Sequence, residues 1–430
     1  MLDLSAVKRQ IDRMASDQKR IQNDFFERID LAVQEAQGWS DNWKKLSYDV
    51  DVSRTSWLVA RLSGPPDAAC PAPPRPRQLT VIAADGSQIF PDRHEISSCY
   101  LLNIGYVVLH YGTGERPTLS SRPFLYYREE DLYEEWEGRR TAVTRESVGI
   151  RRGALEFTFL ADLSVQAREE GRSVVGLSDG TLILWSLEGR PPDLRAATLR
   201  TYLDAFEKMR QARAPVAGYI SSPGSADVIN ALRVGLCPEE PTNCDRCPYK
   251  ADRREQRGGT GQGTRPHGSV WRGGRPGAFG WVERPETDQG PAPLPCSPIE
   301  GVTDDLLFAR LLKPGERSGV FRSQSRILND YGPHRICFFY LHTGAEIARV
   351  EVPQWVADDP DLLDLTHACV VDQAEKGKGY PIVLSEAHEK AVVRGADRDL
   401  FYKFLRDTFV QNDIRAEISL KSLKKLAATV

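Results

Sequence analysis

Two carboxylates stand out because each closes a short, β-branched apolar run. Asp85 follows Leu79-Thr80-Val81-Ile82-Ala83-Ala84, and Asp179 follows Val174-Val175-Gly176-Leu177-Ser178. Runs of this length and composition read as buried strands. A carboxylate at the end of a buried strand sits at the rim of a sheet, on a rigid support. Two such carboxylates side by side repel each other. A divalent cation that prefers oxygen ligands, Mg²⁺ or Mn²⁺, relieves the repulsion. Two metals clamped by acidic side chains suit phosphodiester cleavage. Each Asp is followed by a glycine, Gly86 or Gly180, and this dipeptide is also an ordinary turn signal after a strand.

A third carboxylate, Glu156, lies inside the helical segment Arg151-Arg152-Gly153-Ala154-Leu155-Glu156-Phe157. Its helix neighbours are largely apolar, so it is expected to face the sheet and complete a metal site with Asp85 and Asp179; the alternative is a solvated helix carboxylate. His388 follows Tyr380-Pro381-Ile382-Val383-Leu384-Ser385-Glu386-Ala387, where Pro381 suits a helix start. An imidazole there suits a metal ligand or a group that positions the attacking water; a structural histidine is the alternative.

A second chemical cluster is made of thiols. Cys237, Cys244 and Cys247, with Cys296 further on, supply a four-sulfur set. In a reducing compartment such a set is more often a metal site than a pair of disulfides. Structural Zn²⁺ fits four thiolates best, an iron–sulfur cluster is second, and unligated thiols are the remaining reading. Cys70, Cys99, Cys337 and Cys369 read as small hydrophobes.

The chain that must position these groups has 430 residues, 40% of them hydrophobic and 27% charged, with a net charge of −3. That is the composition of an ordinary globular protein. The N-terminal residues lack a signal-peptide core and no stretch is apolar enough to span a membrane, so a cytoplasmic location is expected. The charge is patchy. Basic residues dominate between Asp245 and Arg284, and Lys421, Lys424 and Lys425 gather in the tail. Both segments suit contact with phosphates, or a solvated surface.

Apolar residues at helical spacing predict a helix over residues 1–48, followed by a Pro-rich, extended linker ending near 77. The main domain is expected over 78–430. Strands are predicted up to Asp85, over 99–111 and over 123–127, then a helix over 147–171, the Asp179 strand, a helix over 193–212 and a strand over 216–221. Residues 237–300 break the pattern and read as a loop-rich insertion rich in Cys, Gly and Pro. A hairpin about Gly344 and helices over 361–376, 381–393 and 397–409 complete the chain. The predicted class is α/β, a mixed sheet flanked by helices. Acidic residues on the first and fourth strands suit the ribonuclease H-like arrangement, whose central sheet brings those strand ends together.

In that order, Ala84-Asp85-Gly86-Ser87, Leu155-Glu156, Asp179-Gly180-Thr181-Leu182, Ala217-Gly218-Tyr219-Ile220-Ser221, Tyr380-Pro381 and Glu386-Ala387-His388-Glu389 resemble the motifs of the NurA-domain nucleases. The resemblance spans roughly residues 78–425. These nucleases are partners of the HerA-type hexameric DNA translocase. The resemblance implies a ribonuclease H-like fold, Mn²⁺-dependent single-strand endonuclease and 5′-to-3′ exonuclease activity, a homodimer, and DNA end processing and repair with the translocase. It casts Asp85, Glu156 and Asp179 as metal carboxylates and His388 as the residue that completes the site. Ser385, Glu386 and Glu389 are weaker candidates, and Lys421, Lys424 and Lys425 are candidates for gripping the DNA backbone. The Cys-rich insertion departs from a minimal member. The rival readings are a non-catalytic module that binds a translocase and a metal-dependent phosphoesterase acting on small nucleotides.

Overall fold

The computed structural model describes residues 2–91, 99–136, 138–190, 192–249 and 294–414. Its strands are β1 (Ala60–Leu62), β2 (Ala69–Cys70), β3 (Leu79–Ile89), β4 (Tyr100–Tyr111), β5 (Thr118–Tyr126), β6 (Tyr133–Trp136), β7 (Arg139–Ala142), β8 (Val174–Asp179), β9 (Val216–Ile220), β10 (Arg317–Ser318), β11 (Phe321–Ser323), β12 (Ile336–His342) and β13 (Ile347–Pro353). The helices used below are α1 (Leu4–Gly38), α2 (Trp43–Val52), α3 (Arg145–Glu169), α4 (Pro192–Gln211), α5 (Asp227–Gly235), α6 (Asp304–Leu311), α7 (Pro360–Lys376), α8 (Ile382–Ala391) and α9 (Gly395–Gln411).

One large sheet runs β1-β11-β12-β13-β9-β8-β3-β4-β5, with β10 joining β12 to β2. β3 pairs antiparallel with β4 and parallel with β8, and β8 pairs parallel with β9. A three-strand meander (β3, β4, β5) extended by parallel β8 and β9 is the ribonuclease H-like order, so the α/β class predicted from sequence holds. Pro123 lies in β5, at the sheet edge, where a residue without an N–H is tolerated.

Alternation along β3 divides its side chains between two helical layers. Ile82 and Ala84 join Phe157 and Leu160 of α3 and Phe206 of α4. Leu79, Val81 and Ala83 join Cys369 of α7 and Val383, Leu384 and Ala387 of α8 on the other face. A third cluster gathers Leu46, Val50, Leu232 and Phe308 against Phe338 and Tyr340. It packs α1, α2, α5 and α6 against the far half of the sheet.

Several boundaries differ from the sequence reading. The predicted helix over 1–48 is two helices, broken between Gly38 and Trp43. β3 does not end at Asp85; it continues to Ile89 because β4 pairs with it along its whole length. The Pro-rich segment is not wholly detached, since β1 pairs with β11 and β2 with β10. Helix α5, which the sequence reading did not predict, directly precedes the Cys-rich stretch. Residues 250–293 and Lys421, Lys424 and Lys425 lie outside the described residues. Among the described residues no helix is long and apolar enough to cross a membrane.

Candidate active site

The motif around Asp85 is explained residue by residue by β alternation. Asp85 pairs with Gly105 and Ser87 with Asn103, and both pairs face α8. Gly86 points the other way, toward α3. A Cβ at Gly86 would collide with Glu156 Oε1 and lie 2.9 Å from Arg152 Cγ, so glycine there lets the Glu156 carboxyl lie against the strand. A Cβ at Gly105 would collide with the α8 backbone at Ala391. The missing side chain lets α8 settle onto β4. Asn103 Nδ2 donates to the Ala391 carbonyl at 2.8 Å and the Ser87 hydroxyl donates to the same oxygen, tying down the C-terminal end of α8. This docking brings His388 Nδ1 to 2.7 Å from Asp85 Oδ2. The other oxygen, Oδ1, accepts the Gly86 N–H at 2.7 Å.

Asp179 is the last residue of β8, and Ala84 pairs with Ser178, so Asp85 and Asp179 occupy the next rung on neighbouring strands. Beyond that rung β8 stops while β3 continues, leaving a notch that side chains from both faces of the sheet can share. The two Asp-Gly dipeptides therefore do different work. Gly86 is inside a strand, whereas Gly180 turns the chain with φ +88° and donates its N–H to Tyr219 O at 2.8 Å.

Glu156 reaches the notch from α3. Burial, reinforced by the charges of Asp85 and Asp179 and opposed by Arg152, pushes its pKa up to about 7. Arg152 Nε lies 2.9 Å from Oε1, yet the pair is not aligned as a hydrogen bond, and this buried oxygen has no hydrogen-bond partner among the described residues. Burial also raises the Asp179 pKa; a hydrogen bond from Tyr380 opposes this, and Asp85 adds to it. Tyr380, held edge-on to Tyr219 with ring centroids 5.3 Å apart, is thus a site residue that the sequence motif contained but that was given no role. Tyr219 in turn donates to Glu346 Oε1 at 2.8 Å.

Of the weaker candidates, Ser385 and Glu389 lie on the exposed side of α8 and Glu386 is half-buried. The Glu389 carboxylate stands 3.7 Å from Arg394. The four candidate cysteines, Cys237, Cys244, Cys247 and Cys296, line one cavity beneath Trp57 and Tyr249, and none is in a disulfide. Among the described residues no three His, Cys, Asp or Glu side chains are drawn into a metal-holding group, at the cysteines or at the carboxylates. At the notch the reason is visible. Asp85 is held by His388 and Gly86, and Asp179 by Tyr380, while Glu156 stands beside Arg152. The donor set nevertheless fits a divalent cation: three carboxyl groups, of which Asp85 and Asp179 push up the pKa of Glu156 and Asp85 that of Asp179, and one buried acceptor oxygen with no hydrogen-bond donor among the described residues.

The family model of the NurA domain matches residues 79–393, most of the chain, with Asp85, Glu156, Asp179, Tyr380 and His388 all inside it. The chain belongs to the NurA family. Its NurA domain thus runs from β3 to just beyond α8. No curated protein matches the NurA chain. Among solved structures it is similar to the NurA nuclease from Sulfolobus solfataricus, at 10% identity and a TM-score of 0.46, covering 96% of this chain and 98% of that one. It is also similar to a NurA with manganese (11% identity, TM-score 0.33, 85% of this chain and 96% of that one). A NurA bound to dAMP and manganese matches at 10% identity and a TM-score of 0.30, over 92% of this chain and 95% of that one.

Proposed function

We propose that this NurA-family chain is a metal-dependent DNA nuclease. The observation that carries the reading is the notch itself. Asp85 and Asp179 stand on adjacent strands, and a buried Glu156 oxygen with no hydrogen-bond partner among the described residues comes in from the opposite face. A core built only for stability has no use for a carboxyl whose pKa is pushed up by burial and by two neighbouring carboxylates.

Asp85, Glu156, Asp179 and His388 are the residues that would hold the metal, with Mn²⁺ or Mg²⁺ preferred by the oxygen-rich set. Divalent ions bound there would supply an activated water and charge stabilisation at the scissile phosphate and the leaving oxygen. The chain's own groups prepare the site. Asp85, as a carboxylate, only accepts hydrogen bonds, so the proton of a neutral His388 sits on Nδ1 and its Nε2 lone pair is presented to solvent. That lone pair can take a proton from water or complete the ligand set. Tyr380 holds Asp179 in one orientation. Arg152 places a compensating cation beside Glu156.

Nuclease assays on labelled single- and double-stranded DNA with Mn²⁺, run beside Asp85→Ala, test the reading. Mn²⁺-dependent cleavage by the native chain, lost in the variant, is the expected result. Absence of cleavage by either, with a translocase partner also present, overturns it in favour of the non-catalytic binding module; cleavage of small nucleotides alone favours the phosphoesterase. Single-strand endonuclease and 5′-to-3′ exonuclease modes, a homodimer, a HerA-type partner, a cytoplasmic location and a role in DNA end processing belong to the same proposal through the family. So does a division into an N-terminal segment over 1–77 and a nuclease unit over 78–430. The four thiols around the Cys237 cavity are read as ligands for a structural metal, zinc before an iron–sulfur cluster, once drawn together. Metal analysis of the purified chain beside Cys244→Ser checks this; protein that contains neither zinc nor iron ends it.

A further inference from the structure

Behind the Asp179 turn lies a chain of buried charges that the nuclease reading does not use. Glu351, on β13, is 1% exposed. Its Oε2 accepts the Thr181 hydroxyl at 2.7 Å and the Leu182 N–H at 2.9 Å. Its Oε1 accepts Arg349 Nε at 2.9 Å. Arg349 donates through its other arm to Asp227 Oδ2 at 3.0 Å, and its guanidinium lies 3.5 Å from the centre of the Phe338 ring. Arg349 and Asp227 are 4% and 6% exposed.

The chain ends on the two residues that follow Asp179-Gly180. On β9, Gly218 is paired with Glu351. A Cβ at Gly218 would lie 2.6 Å from the Gly180 carbonyl and 2.9 Å from Leu182 Cγ, so glycine makes room for the turn to lie flat on the sheet. Glu351 then fastens the turn from the next strand. Burying three charged side chains costs far more desolvation than a packed apolar trio would, and in some proteins such groups are kept because they fix one conformation over its neighbours.

We infer that Glu351 is a positioning residue for the candidate metal site: through Thr181 and Leu182 it fixes the turn that aims Asp179 into the notch, and it is anchored by Arg349 on its own strand, which Asp227 of α5 holds in turn. This rests on the nuclease reading of Asp85, Glu156 and Asp179. Glu351 touches neither substrate nor the reacting atoms. It acts through the angle of one carboxylate, as outer-shell partners do at metal centres.

The decisive variants are Glu351→Gln and Thr181→Val, compared with Thr181→Ser in the full chain. Glutamine keeps the size but has one acceptor oxygen where two are needed, one toward Arg349 and one toward the turn. Thr181→Val removes a hydroxyl at an exposed position, with its bond to Glu351 and the one it accepts from the Ile183 N–H, so the fold is retained even if Glu351→Gln perturbs it. Mn²⁺ binding is read by calorimetry, and cleavage by Mn²⁺ titration. The Glu351→Gln and Thr181→Val chains are both expected to bind Mn²⁺ about tenfold more weakly, with lower kcat, an unchanged KM for DNA and a native circular-dichroism spectrum. Thr181→Ser restores the native values. Unchanged Mn²⁺ affinity and kcat in Thr181→Val, or a lower melting temperature with native Mn²⁺ affinity in Glu351→Gln, overturns the inference. If the native chain binds Mn²⁺ but cleaves no DNA, the nuclease reading fails while the calorimetry still decides the role of Glu351.

Discussion

Asp85 and His388 are 303 positions apart in sequence, yet Asp85 Oδ2 and His388 Nδ1 are 2.7 Å apart. The pairing depends on α8 lying against β3 and β4. His388 is exposed on its own helix, so its removal leaves no cavity. His388→Ala is therefore expected to cut Mn²⁺-dependent cleavage to about a hundredth or less while the melting temperature stays within a degree or two. A comparable loss of stability would assign the imidazole a packing role instead.

Gly105 makes that approach possible, and it has no side chain to take part in the chemistry. Alanine there meets the α8 backbone rather than the end of a flexible side chain. Helix and strand must then separate. Gly105→Ala should destabilise the fold by about 1–3 kcal/mol, the usual range for overpacking, and lower cleavage well beyond what the unfolded fraction explains. Urea unfolding followed in parallel with activity separates the two effects.

Glu156 ties stability to pH. Its pKa is about 7 in the fold against 4.5 for the free side chain, so between those values the folded chain holds a proton that the unfolded chain has released. Stability of the metal-free protein therefore falls as pH rises through that window and levels off above it, by on the order of 3 kcal/mol for this group. Asp179, raised in the same direction, adds to the slope. Thermal melts in chelator from pH 5 to 8 should show the decline, and Glu156→Gln should flatten it while abolishing cleavage. A flat native profile would mean that Glu156 is ionised throughout. Calorimetry near pH 6 should in addition detect proton release when Mn²⁺ binds.

What could be read from the sequence was local chemistry carried on regular period. The runs ending at Asp85 and Asp179 announce buried strands, and the apolar face of α3 announces that Glu156 turns inward. Partner choice is not written locally. Nothing in the stretch around Gly105 tells that Ala391 will rest on it, and nothing around Glu351, in a run that reads as an ordinary buried strand, tells that Thr181 will need an acceptor there. β1 and β2, three and two residues long, are too short to carry a period at all. Tyr380 stood inside a recognised motif, but its role became visible only once α8 had been placed beside the end of β8.

Tyr380 gives the last test. Its hydroxyl donates to Asp179 and is among the influences that hold that carboxyl's pKa down against burial. Phenylalanine keeps the ring against Tyr219 and removes only this donor. Asp179 should then hold its proton to higher pH, so the acid limb of the cleavage profile moves upward in Tyr380→Phe. As pH rises further the difference should narrow, leaving a Mn²⁺ requirement raised by roughly three- to tenfold from the lost orientation. A pH–rate profile at saturating DNA separates these effects. If the variant's profile superimposes on the native one at every Mn²⁺ concentration, Tyr380 serves the packing between β9 and α8 and not the carboxylate.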